Sequence, residues 1–134
     1  MNRTTELLIT RRDADMLASL LQAADAGHRD AMEALEDVLD EARIVDLMPT
    51  QRVVIGSRVR YLERAAQEPR TVTLALPEHA APAQGRVSVL SPIGCALLGR
   101  APGDAVQVAL PGGRNVELII VEVMLPLDDE PSAA

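Results

Sequence analysis

Phenylalanine, tryptophan and lysine are missing from this chain of 134 residues, and tyrosine and cysteine occur once each, as Tyr61 and Cys95. A single ring cannot build a platform for stacking bases, sugars or prolyl rings, which argues against stacking-based recognition of single-stranded nucleic acid. One cysteine excludes an intramolecular disulfide and argues against a thiolate metal site. Cys95 stands in an apolar burst, where it reads as a small buried hydrophobe rather than a reactive thiol. No run approaches the roughly 18 apolar residues of a membrane span. The opening MNRTTELLITRRDAD lacks the apolar stretch of a signal peptide, so a cytoplasmic location and no membrane partner are expected. The absence of lysine makes all thirteen basic residues arginine, for which a genomic base-composition bias is a sufficient explanation.

What is present is acid, unevenly spread. The net charge is −7. Ten acids lie between Asp13 and Asp46 against Arg29 and Arg43, a net of −8. From Thr50 to Pro126 six acids meet eight arginines, a net of +2. Such asymmetry indicates two modules with different jobs. An excess of acid opposes phosphate neutralisation, so direct sequence-specific nucleic-acid binding is not expected. The 48% hydrophobic content suffices for an aliphatic core.

The first module reads as helical. Thr10 is a helix cap with Asp13 three residues on, and Asp15 is also near the positive end. Met16, Leu17, Leu20, Leu21 and Ala24 then recur at helical spacing, and Gly27 ends the run. Met32, Leu35, Val38, Leu39 and Ala42 form a second stripe. The two make a short antiparallel hairpin over 1–49, each helix roughly 24 Å long from about 16 residues. Narrow stripes of this kind rely on the rest of the protein for support.

After Pro49 the period changes to two. Val53, Ile55, Val59 and Tyr61 mark a strand region interrupted at Gly56, where a bulge or bend is expected. Val72, Leu74 and Leu76 mark a second strand, Val87 and Val89 a third, and Val106, Val108 and Leu110 a fourth. Pro111 to Arg114 is a hairpin turn. The last strand changes register, with Val116 and Leu118 alternating first and then Val121, Val123 and Leu125; it is buried on both faces or carries a bulge. SPIGCALLGRAPGDAV, Ser91 to Val106, fits one short helix capped by Ser91, with Pro92 at its first position and Gly99 at its exit. The expected class is α+β: the hairpin, an antiparallel sheet of about five strands with one short helix over 50–126, and an acidic tail over 127–134.

Three segments carry a family resemblance: Val54-Ile55-Gly56-Ser57-Arg58-Val59, the run Gly85 to Gly94, and Ala96-Leu97-Leu98-Gly99 with Gly103-Asp104. They resemble the C-terminal, FKBP-like domain of the Gre-type transcript-cleavage factors. Gre factors have a long coiled coil in front of this domain; the markedly shorter hairpin here resembles the Rnk family, the regulators of nucleoside diphosphate kinase. The resemblance implies RNA polymerase as partner, docking at its secondary channel, and competition with Gre factors without RNA cleavage. It also implies no cofactor, no metal and no catalytic residue. Ser91, Pro92, Ile93 and Gly94 correspond to the neighbourhood that faces polymerase in Gre factors. In many cleavage factors the residue before Ser-Pro is acidic, whereas here it is Leu90.

Several residues carry two readings. Arg58 and Arg60 share a strand face, either a positive edge for an acidic partner or a solvated surface. Asp25, Asp30 and Glu33 stand near the hairpin tip. They are dipole-complementing acids, or, in the alternative of an active cleavage factor, Asp30 and Glu33 help to hold a catalytic Mg²⁺. The acidic hairpin as a whole is a solvated face or a plug that mimics nucleic-acid charge. An FKBP-like fold raises prolyl isomerisation, for which Tyr61 alone is too little aromatic wall. His28 and His79 read as solvated loop residues. A monomer is expected rather than a homo-oligomer, with an uncovered Leu/Met stripe as the route by which hairpins of two chains would pair.

Overall fold

A computed structural model describes residues 7–23, 29–47, 51–110 and 112–124. Asp25, His28, Pro49, Pro111 and the 127–134 tail lie outside them.

The first described element is a strand that the sequence reading did not assign. Leu8–Thr10 (β1) leads directly into α1 (Arg11–Ala23), α2 follows over Arg29–Glu41, and β2 (Arg43–Val45) runs parallel to β1. Thr10 caps as expected: its Oγ1 accepts from the Asp13 amide at 3.1 Å. Each helix has 13 residues rather than about 16, or about 20 Å. The parallel pairing ties the start of α1 to the end of α2, with Leu8 opposite Arg43 and Thr10 opposite Val45. Arg11 Nε and Asp46 Oδ1 close the same root at 2.9 Å. The run Leu7–Ile9 was the available signal for β1; all three are buried.

The second half builds a curled five-stranded sheet in the order β5-β4-β3-β7-β6, from β3 (Arg58–Glu63), β4 (Glu68–Ala75), β5 (Arg86–Ser88), β6 (Ala105–Leu110) and β7 (Arg114–Met124). A short helix, α3 (Pro92–Leu97), follows β5. The α+β class, the strand number and the short helix match the expectation. The sheet is mixed rather than wholly antiparallel, because β5 runs parallel to β4. Between them the chain returns through two one-turn 3-10 helices, Pro77–His79 and Pro82–Gln84, and a strand of three residues needs no longer crossover.

The break at Gly56 is a tight turn: Gly56 has φ 101°, and regular pairing starts only at Arg58. The register change in β7 is a bulge. Arg60 pairs with Glu122 and Tyr61 with Ile120, which leaves Val121 as the extra residue, 49% exposed. Leu118, Ile120 and Val123 thereby all reach the core.

One aliphatic core serves both halves. Ile9, Leu17 and Leu35 of the helical part are buried in the same cluster as Val53, Val59, Leu74, Leu97 and Ile120. Burying a side chain of this kind contributes about 1.5–3 kcal/mol, so the hairpin is held by the sheet rather than by its own two stripes.

Candidate partner-docking site

Residues Ser91 to Gly94 form the first turn of α3, and they divide into two that shape it and two that show. Ser91 is its N-cap. The Ser91 Oγ accepts from the Gly94 amide at 3.0 Å and donates to the Ser88 carbonyl at 2.7 Å. Its hydroxyl is thus engaged within the chain. Gly94 is buried, and a Cβ there would lie 2.0 Å from the Ser88 carbonyl oxygen. Only glycine lets α3 sit this close to the end of β5. Pro92 is exposed and Ile93 half-buried, so these two offer the surface.

Helix α2 packs against α3. Between them runs an apolar groove of about 500 Å³, lined on one side by Asp30, Ala34 and Val38 and on the other by Ser91, Pro92 and Ala96. Asp30, read from the sequence as near the hairpin tip, is the second residue of α2 and also lines this groove. Glu33 is exposed on the same helix. Arg100 also lines the groove, and its buried Nε has no acceptor among the described residues.

Three contacts fix the hairpin's attitude. Asp13 is 3% exposed, and its Oδ2 accepts from the Ile55 amide at 2.9 Å. Burial raises its pKa above the ordinary carboxylate value, against the Ile55 hydrogen bond and the nearby Arg12 charge. Gly99, with φ 78°, leaves α3 directly beneath β1; a Cβ there would stand 2.9 Å from the Leu8 carbonyl oxygen. Arg43 donates its amide to the Leu7 carbonyl at 2.9 Å. Asp13 was read from the sequence as a capping acid. Nothing in its spacing distinguishes an acid that complements a helix dipole from one that also reaches a residue 42 positions away.

Arg58 and Arg60 are exposed and share a face of β3; Arg60 stands opposite Glu122, Arg58 opposite Met124. His79 is exposed, as expected. The Leu/Met stripe of α2 is largely used: Leu35 is buried, and Met32, Val38 and Leu39 are half-buried. Among the described residues no three His, Cys, Asp or Glu side chains converge, and no helix is long and apolar enough to cross a membrane.

Cys95 faces the same groove but is 7% exposed, and burial, with Asp37 nearby, pushes its thiol up to about 11. At pH 7 the reactive thiolate is then on the order of 10⁻⁴ of the population, against a few per cent for an ordinary thiol. Native protein is expected to react with a disulfide reagent at least about tenfold more slowly than free cysteine, and denatured protein at the free rate. Absorbance of the released thiol checks this.

A capped short helix on a curled mixed sheet, with a helical hairpin packed beside it, is the arrangement that carries the candidate site. The comparisons give it a family. Residues 48–125 match the family model described as "Transcription elongation factor, GreA/GreB, C-term". Over 136 aligned residues the chain is 32% identical to the regulator of nucleoside diphosphate kinase of Escherichia coli K12, covering all of this chain and 96% of that protein. It is 31% identical over 102 residues to the transcription elongation factor GreA of Sinorhizobium medicae, where the match takes in 74% of this chain and 65% of the relative. A solved GreA/GreB elongation factor from Nitrosomonas europaea superposes with a TM-score of 0.71 at 33% identity, covering 91% of this chain and all of that one. The chain belongs to the GreA/GreB family of transcription factors, and its full-length match is of the Rnk kind.

Proposed function

We propose that this protein is a non-enzymatic transcription regulator that docks on RNA polymerase at the rim of the secondary channel and excludes cleavage factors of its own family. The observation that carries this reading is the stowed hairpin. With Leu17 and Leu35 buried in the common core and Asp13 bonded to Ile55, the hairpin packs against the sheet-bearing half, and Asp30 and Asp37 of α2 line the groove beside α3. Two helices of 13 residues, about 20 Å each, make a short hairpin for carrying Asp30 and Glu33 to a distant active centre. The match to the E. coli regulator over the whole chain supports the same reading.

Pro92 and Ile93 are the contact surface, Ser91 and Gly94 hold it in shape, and Arg58 and Arg60 add a positive edge that meets acidic partner groups. The site of action is cytoplasmic. Regulation of a nucleoside diphosphate kinase, the role carried by the relative's name, follows downstream of this docking.

Stalled polymerase carrying end-labelled nascent RNA tests the reading. The protein is expected to bind, to leave the RNA full length, and to block shortening by an added Gre factor. Pro92→Glu, at an exposed position, is expected to weaken both binding and blocking by about tenfold or more. RNA shortened by the protein alone, and preserved in Asp30→Ala with Glu33→Ala, would establish the cleavage alternative. Failure of polymerase to retain the protein at low salt would remove both.

A further inference from the structure

The strand ladder assembles a cationic recess that shares Arg58 with the proposed docking surface and is otherwise separate from it. Arg58 of β3 stands opposite Thr73 of β4, and Thr73 opposite Arg86 of β5. Directly paired residues share a face of the sheet, so one row reads guanidinium, hydroxyl, guanidinium. Strands lie about 4.8 Å apart, which sets the two arginine Cα atoms about 10 Å from each other. Arg12, in the first turn of α1, and His79 complete the rim of a recess of about 460 Å³.

Its charge is not cancelled. In a chain of net charge −7, none of the residues that line the recess is acidic. Arg11, Arg64 and Arg114 are paired with Asp46, Glu117 and Glu63. Among the described residues Arg12, Arg58 and His79 have no ion-pair partner, and Arg86 has only a 2.9 Å bond to the Gln84 Oε1. Asp13, close enough for the Arg12 charge to act on its carboxyl, gives its Oδ2 to the Ile55 amide, and Asp15 and Glu78 line the adjoining recess. The positive end of α1 adds to the field. Beneath the rim the floor is apolar, made by Met16, Ile55 and Leu76.

We propose that this recess binds a phosphorylated small molecule of nucleotide size, with Arg58 and Arg86 gripping a di- or triphosphate and the apolar floor covering the remainder. Guanidinium forks match phosphate oxygens in pairs, which favours this chemistry over isolated carboxylates. A concave volume within the roughly 300–1,000 Å³ range of small-molecule sites favours it over a flat acidic protein surface. The floor has no aromatic ring, so the identity of the base is not read and ATP and GTP bind alike.

Calorimetric titration of the full chain at low salt, without polymerase, tests this independently of the docking reading. ATP and GTP are expected to bind with similar affinity, and adenosine not to bind. Inorganic tripolyphosphate is expected to compete, but more weakly than ATP, because it leaves the floor uncovered. Arg58→Gln and Arg86→Gln should each weaken ATP about tenfold with no change in melting temperature, while Arg114→Gln at the β6–β7 turn leaves it unchanged. Absence of ATP binding at millimolar concentration, unaltered affinity in both recess variants, or tripolyphosphate binding as tightly as ATP would overturn the proposal. So would a polyglutamate peptide that binds where ATP does not, since that marks a protein-docking surface.

Discussion

Gly94→Ala is expected to destabilise the protein by about 3 kcal/mol or more, the upper end of what overpacking costs. For a chain of this size that lowers the melting temperature by about 10 °C. The sign is the informative part. In an ordinary helix interior, replacing glycine by alanine stabilises by about 1 kcal/mol. Here the new methyl would meet the Ser88 carbonyl oxygen at 2.0 Å and its carbon at 2.9 Å, both backbone atoms that no rotamer change moves aside. Helix α3 must lift from the end of β5, and the Ser91 cap, which holds both the Gly94 amide and the Ser88 carbonyl, loses its geometry. Pro92 and Ile93 move with it, so polymerase affinity falls further than the loss of folded protein explains. Calorimetric melting, with binding measured on the folded fraction, checks both parts. An unchanged melting temperature would mean that α3 does not sit where it is described.

The second large effect separates two substitutions at one residue. Asp13→Ala is expected to cost about 2–3 kcal/mol, because it strands the Ile55 amide that a charged acceptor now satisfies. Asp13→Asn keeps an oxygen acceptor and removes the charge. Since burial raises the Asp13 pKa, the folded state disfavours the ionised form. Stability linked to this group is therefore fully present below its unfolded pKa and is lost as pH rises through the higher folded value. At neutral pH the asparagine variant is expected to be as stable as the parent or slightly more so. Its stability should also lack the parent's decline just above the ordinary carboxylate range. Denaturant melts of the three proteins between pH 4 and 7 measure this. Equal losses in Ala and Asn would mean that the charge, not the hydrogen bond, holds the hairpin.

How much of this was legible follows from which interactions are local. The Ser91 cap, Pro92 in the first turn and Gly99 at the exit lie within nine residues, and the sequence reading placed α3 on them. The Thr10 cap was legible for the same reason, whereas the irregularities at Gly56 and in β7 were marked only as alternatives, a bulge or bend at the first and a bulge or burial on both faces at the second. The β1–β2 pairing was not, because three-residue strands 35 positions apart leave no periodicity. The parallel setting of β5 depends on the path of the 3-10 turns, which alternating valines do not record. At the site, Pro92 and Asp30 were singled out, but their opposition across a groove comes from tertiary packing of α2 on α3. Arg12, Arg58, His79 and Arg86 are scattered over 75 positions; the sheet register brings Arg58 and Arg86 together, and the packing of α1 and the 3-10 turn adds Arg12 and His79.

The account rests on a hairpin that stays against its head, and a distance measurement tests that most directly. Spin labels at Glu33→Cys on α2 and Gln107→Cys on β6, both exposed, leave the buried Cys95 as an inert background. Pulsed dipolar spectroscopy is expected to give one narrow distance distribution, the same for the free protein and for the protein bound to polymerase. A longer or second distance on binding would show the hairpin swinging out to deliver its acids, and would contradict the account.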